Sequence, residues 1–273
     1  MGKYKISVIM GIYNCASTLQ EALDSLYAQT YQDFEIILCD DGSNDDTYKL
    51  ALENQKMHPN IVLLKNPHNM GLNQTLNNCL AVAQGEYIAR MDGDDLCDPT
   101  RFEKEIAFLE EHPEYAIVST TMKYFDENGV FGQGHVSEAE PTKESFTRGT
   151  PFCHAPCMVR KEAYDAVGGY SISKWLLRNE DYNLWAKMYA KGYKGYNIDE
   201  PLYSMRDDRN AVVRRNIRNR INSIYSLTVA YRMLHFSTLG YIKNAMMQII
   251  KIIMPTFIYN YFHRRTLKKL MQQ

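Results

Sequence analysis

Apolar positions along the first hundred residues switch repeatedly between short unbroken runs and three-and-four spacing. Ile6 to Met10 is an apolar run ending at Gly11. Phe34-Glu-Ile-Ile-Leu-Cys39 and Ile61 to Leu64 repeat the pattern. Runs this short and continuous predict strands of a buried parallel sheet. Between them, Leu19, Leu23 and Leu26 share one face of a helix expected over residues 14–29, and further helices are expected over 45–56 and 72–83. A fourth run, Tyr87-Ile88-Ala89, leads into Asp92-Gly93-Asp94-Asp95. Asp98-Pro99 then reads as an N-cap and first helical residue of a helix carrying Phe102, Ile106 and Leu109. Alternating strands and helices predict an α/β fold, its sheet mainly parallel with helices on both faces.

In such sheets ligands bind beyond the carboxyl ends of the strands. Tyr13, Asp40, Asp41 and the acidic turn at 92–95 all fall there. Asp92, Asp94 and Asp95 repel one another unless positive charge lies between them. A hard divalent cation, Mg²⁺ or Mn²⁺, takes oxygen ligands and completes its shell with water and substrate phosphate. Gly93 is expected to let the chain bend so that Asp92 and Asp94 face one point. A solvated Asp/Gly turn is the plainer alternative. Neither G-x-x-x-x-G-K-[ST] nor G-x-G-x-x-G occurs, so P-loop and Rossmann dinucleotide readings lose their main support.

Charge changes the picture at the carboxyl end. From Arg206 onward, 13 Lys and Arg face two Asp, a local +11; with a net charge of −1 the first 205 residues carry −12. A basic tail on an acidic body points to an anionic partner. Ile242, Met246, Ile249, Ile250 and Ile253 share a helical face opposite Asn244, Gln248 and Lys251, and Pro255 breaks the run. A spanning helix needs about 20 predominantly apolar residues, so an amphipathic helix lying on an anionic membrane fits better, with packing on the catalytic domain or on a second protomer as the alternative. The six cysteines show no disulfide framework, and Cys153-His154-x-x-Cys157 offers only three zinc ligands; reduced, buried thiols are expected. Lys3 and Lys5 lead straight into the first strand without a secretory h-region, consistent with a cytoplasmic protein.

Several motifs occur together in order: V-I-M-G-I-Y-N at 8–14, D-D-G-S at 40–43, N-M-G-L at 69–72 and Y-I-A-R-M-D-G-D-D at 87–95. H-A-P-C-M-V-R-K-E-A at 154–163, V-G-G-Y at 167–170 and N-E-D-Y-N-L-W at 179–185 complete the set. Over roughly residues 4–210 the chain resembles the inverting family 2 glycosyltransferases of GT-A fold. It departs from their common pattern at Gly11-Ile12, where Pro-Thr is usual, and at Y-S-M-R-D-D-R, 203–209, where a His often stands.

The resemblance implies a catalytic domain over 1–210 with the basic helical region at 211–273. It implies transfer of a sugar from a nucleotide sugar, UDP-linked for preference, to a saccharide or lipid-linked acceptor for a surface polysaccharide. By the same resemblance Asp41 pairs with the base, Asp40 fixes its turn, and Tyr13 borders the base. Asp92 touches ribose or sugar, and Asp94, with Asp92, holds the metal. Asp181 is implied as the catalytic base, with Glu180 beside it toward the acceptor. Arg90, two residues before Asp92 and so on the same strand face, neutralises the carboxylates, meets the donor sugar, or forms a structural ion pair. His154 is an acceptor-side group or a structural histidine. Arg206, Arg209, Arg214 and Arg215 are candidates to close on the diphosphate. The competing classes are a non-catalytic membrane-associated nucleotide or sugar-binding module, a nucleotidyltransferase lacking its Gly-rich loop, and a nucleic-acid binder without exposed stacking aromatics.

Overall fold

The computed structural model describes residues 3–206, 217–242 and 246. Arg209, Arg214, Arg215 and almost all of the amphipathic stretch after Ile242 lie outside the described residues.

Strands β1 (Ile6–Ile12), β2 (Phe34–Asp40), β3 (Ile61–Lys65) and β4 (Tyr87–Arg90) form a parallel block in the order β3-β2-β1-β4. The intervening helices are α1 (Leu19–Tyr27), α2 (Thr47–Met57) and α3 (Leu72–Val82). β1 explains the layering. Ile6, Val8, Met10 and Ile12 point to one face, where they meet Leu19, Leu23 and Leu26 of α1 and Ala51 of α2. Ile9 points to the other face, toward Leu76 and Cys79 of α3. Both faces are apolar and covered, which is why these strands read as continuous hydrophobic runs.

Beyond β4 the sheet becomes mixed. β8 (Met158–Arg160) pairs antiparallel with β4 and with β6 (Ile117–Asp126). β9 (Gly195–Arg206) runs parallel to β6, while β5 (Leu96–Cys97) and β7 (Gly129–Gln133) add antiparallel edges to β9 and β6. These strands break the βα alternation and were not anticipated from periodicity. The helix after the acidic turn, α4 (Arg101–Glu111), buries Phe102, Ile106 and Leu109 as expected. It starts two residues beyond Pro99, and its N-cap is Thr100 rather than Asp98; Asp98 instead accepts from the Thr100 amide (3.0 Å) and hydroxyl (2.8 Å).

The second face is closed by α5 (Lys161–Val167), α6 (Glu180–Ala190) and α7 (Ile217–Met233). Leu227, Ala230, Tyr231 and Leu234 share a core with Leu184, Trp185 and Met188. The first helix of the basic region is therefore packed into the body of the molecule.

Candidate active site

The acidic turn follows β4, and each of its carboxylates has a different environment. Asp92 accepts from Arg90 Nη2 at 2.5 Å. Asp94 is pushed above the usual carboxylate range by burial and then by the charge of Asp92. Asp95 faces inward, only 2% exposed: Oδ2 accepts from the Tyr203 hydroxyl (2.8 Å) and Oδ1 from the Arg206 amide (2.8 Å). Burial, followed by repulsion from Asp92 and Asp94, raises Asp95 to about 7. It fastens the end of β9 to the turn, which leaves Asp92 and Asp94 to face outward.

Gly93 serves close packing. It lacks the positive φ that a glycine-only bend would require. A Cβ there would come within 2.8 Å of Cys15 Sγ and 3.2 Å of Ile12 Cγ2. The turn thus sits directly against the segment after β1, where Thr18 Oγ1 also donates to the Gly93 carbonyl at 2.9 Å.

A cleft of about 370 Å³ opens between these segments, lined by Gly11, Tyr13, Asn14, Cys15, Asp92, Asp94 and Arg206 among others. Tyr13 is 45% exposed on its wall. Arg206, at the end of β9, donates from Nε to the Asp94 carbonyl (2.9 Å) and from Nη2 to Glu21 (2.5 Å), and stacks over Phe125.

Asp40 and Asp41 lie beside the cleft and do not line it. The Asp40 carboxylate faces the Ser43 amide at 3.3 Å. Asp41 accepts from Asn66 Nδ2 (2.8 Å), the Met70 amide (2.7 Å) and the Gly71 amide (2.9 Å). A carboxylate has about four acceptor sites, so Asp41 keeps capacity for one further donor at Oδ2. Gly42, at φ +73, takes the left-handed turn that follows. Asn14 Oδ1 accepts from the Asn44 amide at 2.9 Å and joins this loop to the one after β1.

Asp181 lies in the first turn of α6. Burial raises its carboxyl to about 6, with the Glu180 charge adding to the rise and Arg90 opposing it. Arg90 is 5% exposed and its charge also acts on Asp94 and on His154. Its Nε has no partner among the described residues. His154 is held neutral by burial and by Arg90, and its Nε2 pairs with the Tyr170 hydroxyl at 2.8 Å. The structure therefore brings Arg90, Asp92, Asp94, His154 and Asp181 into one electrostatic neighbourhood. Cys157 is buried, its thiol donating to the Cys153 carbonyl at 2.8 Å.

Arg101 was missed from sequence. It is fully buried, pairs with Glu105 (3.0 Å), and donates to the carbonyls of Arg90 and Cys157, both at 3.1 Å. It fixes the backbone that carries Arg90. In sequence an Arg and a Glu four apart on a helix read as a solvent-facing pair.

Among the described residues no three His, Cys, Asp or Glu side chains form a metal cage. Asp92 and Asp94 nevertheless suit a hard cation that is held by one or two carboxylates and completed by substrate phosphate. Asp94 is repelled by Asp92, and the charges of Arg206 and Arg90 offset that repulsion only in part.

The family model described as "Glycosyl transferase family 2" matches residues 7–168. EpsE of Bacillus subtilis strain 168, named as a glycosyltransferase, is 41% identical over 270 residues, covering 98% of this chain and 95% of its own. The Escherichia coli UDP-Gal:alpha-D-GlcNAc-diphosphoundecaprenol beta-1,3-galactosyltransferase is 29% identical over 274 residues, covering 98% of each. Among solved structures, S. aureus TarS in complex with UDP superposes with a TM-score of 0.67 at 20% identity, over 88% of this chain and 68% of that one. The mannosyltransferase PcManGT from Pyrobaculum calidifontis, with GDP-Man and Mn²⁺, gives 0.65 at 16% identity, over 99% and 84%. Both likenesses establish the fold.

Proposed function

The chain belongs to glycosyl transferase family 2, with the GT-A fold, and from that premise we propose that it moves a sugar from a UDP-sugar onto a lipid-linked saccharide, with inversion, in the building of a surface polysaccharide. The observation that carries this reading is Arg90. It is ion-paired with Asp92, which lines the cleft, and its charge opposes the raised pKa of Asp181. Donor-side acids and a candidate base thus share one buried cation.

The donor's diphosphate lies in the cleft, and its base reaches past Tyr13 to Asp41 beside the cleft, where Asp41 Oδ2 accepts from the ring N–H. Asp92 meets the ribose or sugar. When bound, Mn²⁺ or Mg²⁺ held by Asp94 and Asp92 supplies charge that stabilises the departing diphosphate. Arg206 exchanges Glu21 for a phosphate oxygen, a geometry to which guanidinium is well suited. The ionised Asp181 takes the proton of the acceptor hydroxyl as that oxygen attacks the anomeric carbon and the bond to the diphosphate oxygen breaks. Glu180 accepts a hydrogen bond from the acceptor. Attack from the face opposite the leaving group inverts the configuration.

The UDP-Gal and GlcNAc-diphosphoundecaprenol in the name of the E. coli relative support this donor and acceptor class, and the Mn²⁺ in PcManGT supports the metal. Among the described residues no helix is long and apolar enough to cross a membrane. The reading assigns residues 1–210 to catalysis. It assigns the amphipathic stretch beyond Leu239 to peripheral attachment on the cytoplasmic face.

Titration calorimetry against UDP, GDP, CDP and dTDP, with and without Mn²⁺, tests the reading. UDP binding that needs metal, and that Asp94→Asn abolishes, supports it. Indifference to every nucleotide refutes it and favours a non-catalytic binding module.

A further inference from the structure

Three apolar side chains point into water from the loop before α6: Ile172 (59% exposed), Trp175 (45%) and Leu177 (44%). Beside them, α7 turns Ile221 and Tyr225 outward. Trp175 and Leu177 bring the loop onto α7. The Trp175 and Tyr225 rings lie 6.2 Å apart, and Asn222 Nδ2 donates to the Leu177 carbonyl at 3.3 Å.

The loop is built to hold them there. Leu176 is buried beneath it, and its amide donates to the Ser173 carbonyl at 3.0 Å. Asn73 Nδ2 donates to the Ser171 carbonyl (2.8 Å), and Arg178 takes a positive φ of 66°. A loop spent on hydrogen bonds of this kind would ordinarily present polar side chains to solvent. Here the exposed positions are apolar or cationic.

Lys174 Nζ sits 5.4 Å from the Trp175 ring centre, and Arg178 and Arg218 are exposed at the margin. Neither residues 172–178 nor Ile217–Met233 contains an Asp or Glu. Glu180 and Asp181 follow at the start of α6, while the exposed polar side chains of the loop itself, Lys174 and Arg178, are cationic. Exposed apolar side chains with cations set among them match an anionic bilayer better than a neutral protein face. Trp and Tyr suit the headgroup layer, and Lys and Arg reach past it to phosphate.

We propose that the loop at 172–178 and the exposed stripe Arg218–Ile221–Tyr225 of α7 form a membrane-docking surface that rests on an anionic bilayer. It is separate from any attachment through the carboxyl-terminal stretch. Leu177 is four residues from Asp181, so docking presents that carboxylate toward the lipid side. This last consequence rests on the proposed function; the docking does not.

Trp175 reports on the surface directly. The chain has two tryptophans, and Trp185 is fully buried. In full-length protein carrying Trp185→Phe, emission is recorded with vesicles of phosphatidylglycerol and phosphatidylcholine bearing brominated acyl chains, without donor or acceptor. The expected result is a blue shift and quenching of Trp175 that phosphatidylcholine vesicles do not produce. The double variant I172S/L177S should partition about tenfold more weakly. If Trp185→Phe fails to fold, quenching of the natural chain is compared with that of Trp175→Phe, which should lose it. Vesicle binding that leaves Trp175 emission unchanged overturns the proposal, since the carboxyl-terminal stretch alone then binds. Equal binding to phosphatidylcholine overturns it as well. So does self-association that shields Trp175 without lipid, which would assign the surface to a second copy.

Discussion

Replacing Asp181 with Asn should separate two effects of one carboxylate. Its folded-state pKa is raised from 3.8 to about 6, chiefly by burial. The folded state therefore prefers the protonated acid, and ionising it costs stability. That cost is absent below the unfolded value near 4, grows between pH 4 and 6, and is complete above 6. At 1.36 kcal/mol per unit, the roughly two units correspond to about 3 kcal/mol, an upper limit because Asp181 is only partly shielded from water. The Asn side chain has nearly the same shape and no charge. At pH 7.5 the variant should gain up to about 3 kcal/mol against urea, and near pH 4 the gain should vanish. Sugar transfer, which uses the ionised form, should fall by about 10²–10⁴, with donor affinity kept. In the natural protein kcat/KM should lose about tenfold per pH unit below 6. Urea melts at both pH values, with turnover measured on the same preparations, decide the matter. Unchanged turnover removes Asp181 from its role. A variant less stable at pH 7.5 refutes the assignment of the shift to burial.

Arg90→Gln removes the cation that opposes the rise at Asp181 and that adds to the depression of His154. The acid limb of the transfer profile should move to higher pH; an unmoved limb shows that Arg90 and Asp181 do not interact. Arg101→Met leaves Glu105 buried without its partner and should cost about 3–5 kcal/mol, read as a lowered Tm. Adding Glu105→Leu should recover much of that loss, and failure to recover points to the carbonyls of Arg90 and Cys157 as the part that matters. Gly42→Ala forces a side chain into φ +73, within 2.7 Å of the His68 carbonyl carbon. It should destabilise by about 1–3 kcal/mol and weaken UDP binding measured by calorimetry, because the loop that positions Asp41 must shift.

The four parallel strands, their helices and the acids at the strand ends were legible because each signal is local. Burial on both faces demands unbroken apolar runs, α1 demands Leu at three-and-four spacing, and turns collect Asp and Gly. The membership of the family was likewise carried by short motifs in order. What separates Asp92 and Asp94 from Asp95 is not local: Tyr203, 108 positions away, claims Asp95. Asp41 is an anchor for the loop at 69–71 because Met70 and Gly71 fold back to it. Gly93 is small because Cys15 approaches it, and Arg101 is a core cation because Arg90 of β4 and Cys157, just before β8, present carbonyls to it. Periodicity records how much of a residue is buried. Which partner buries it is set only when distant strands close on one another, and at this site the partner decides the charge.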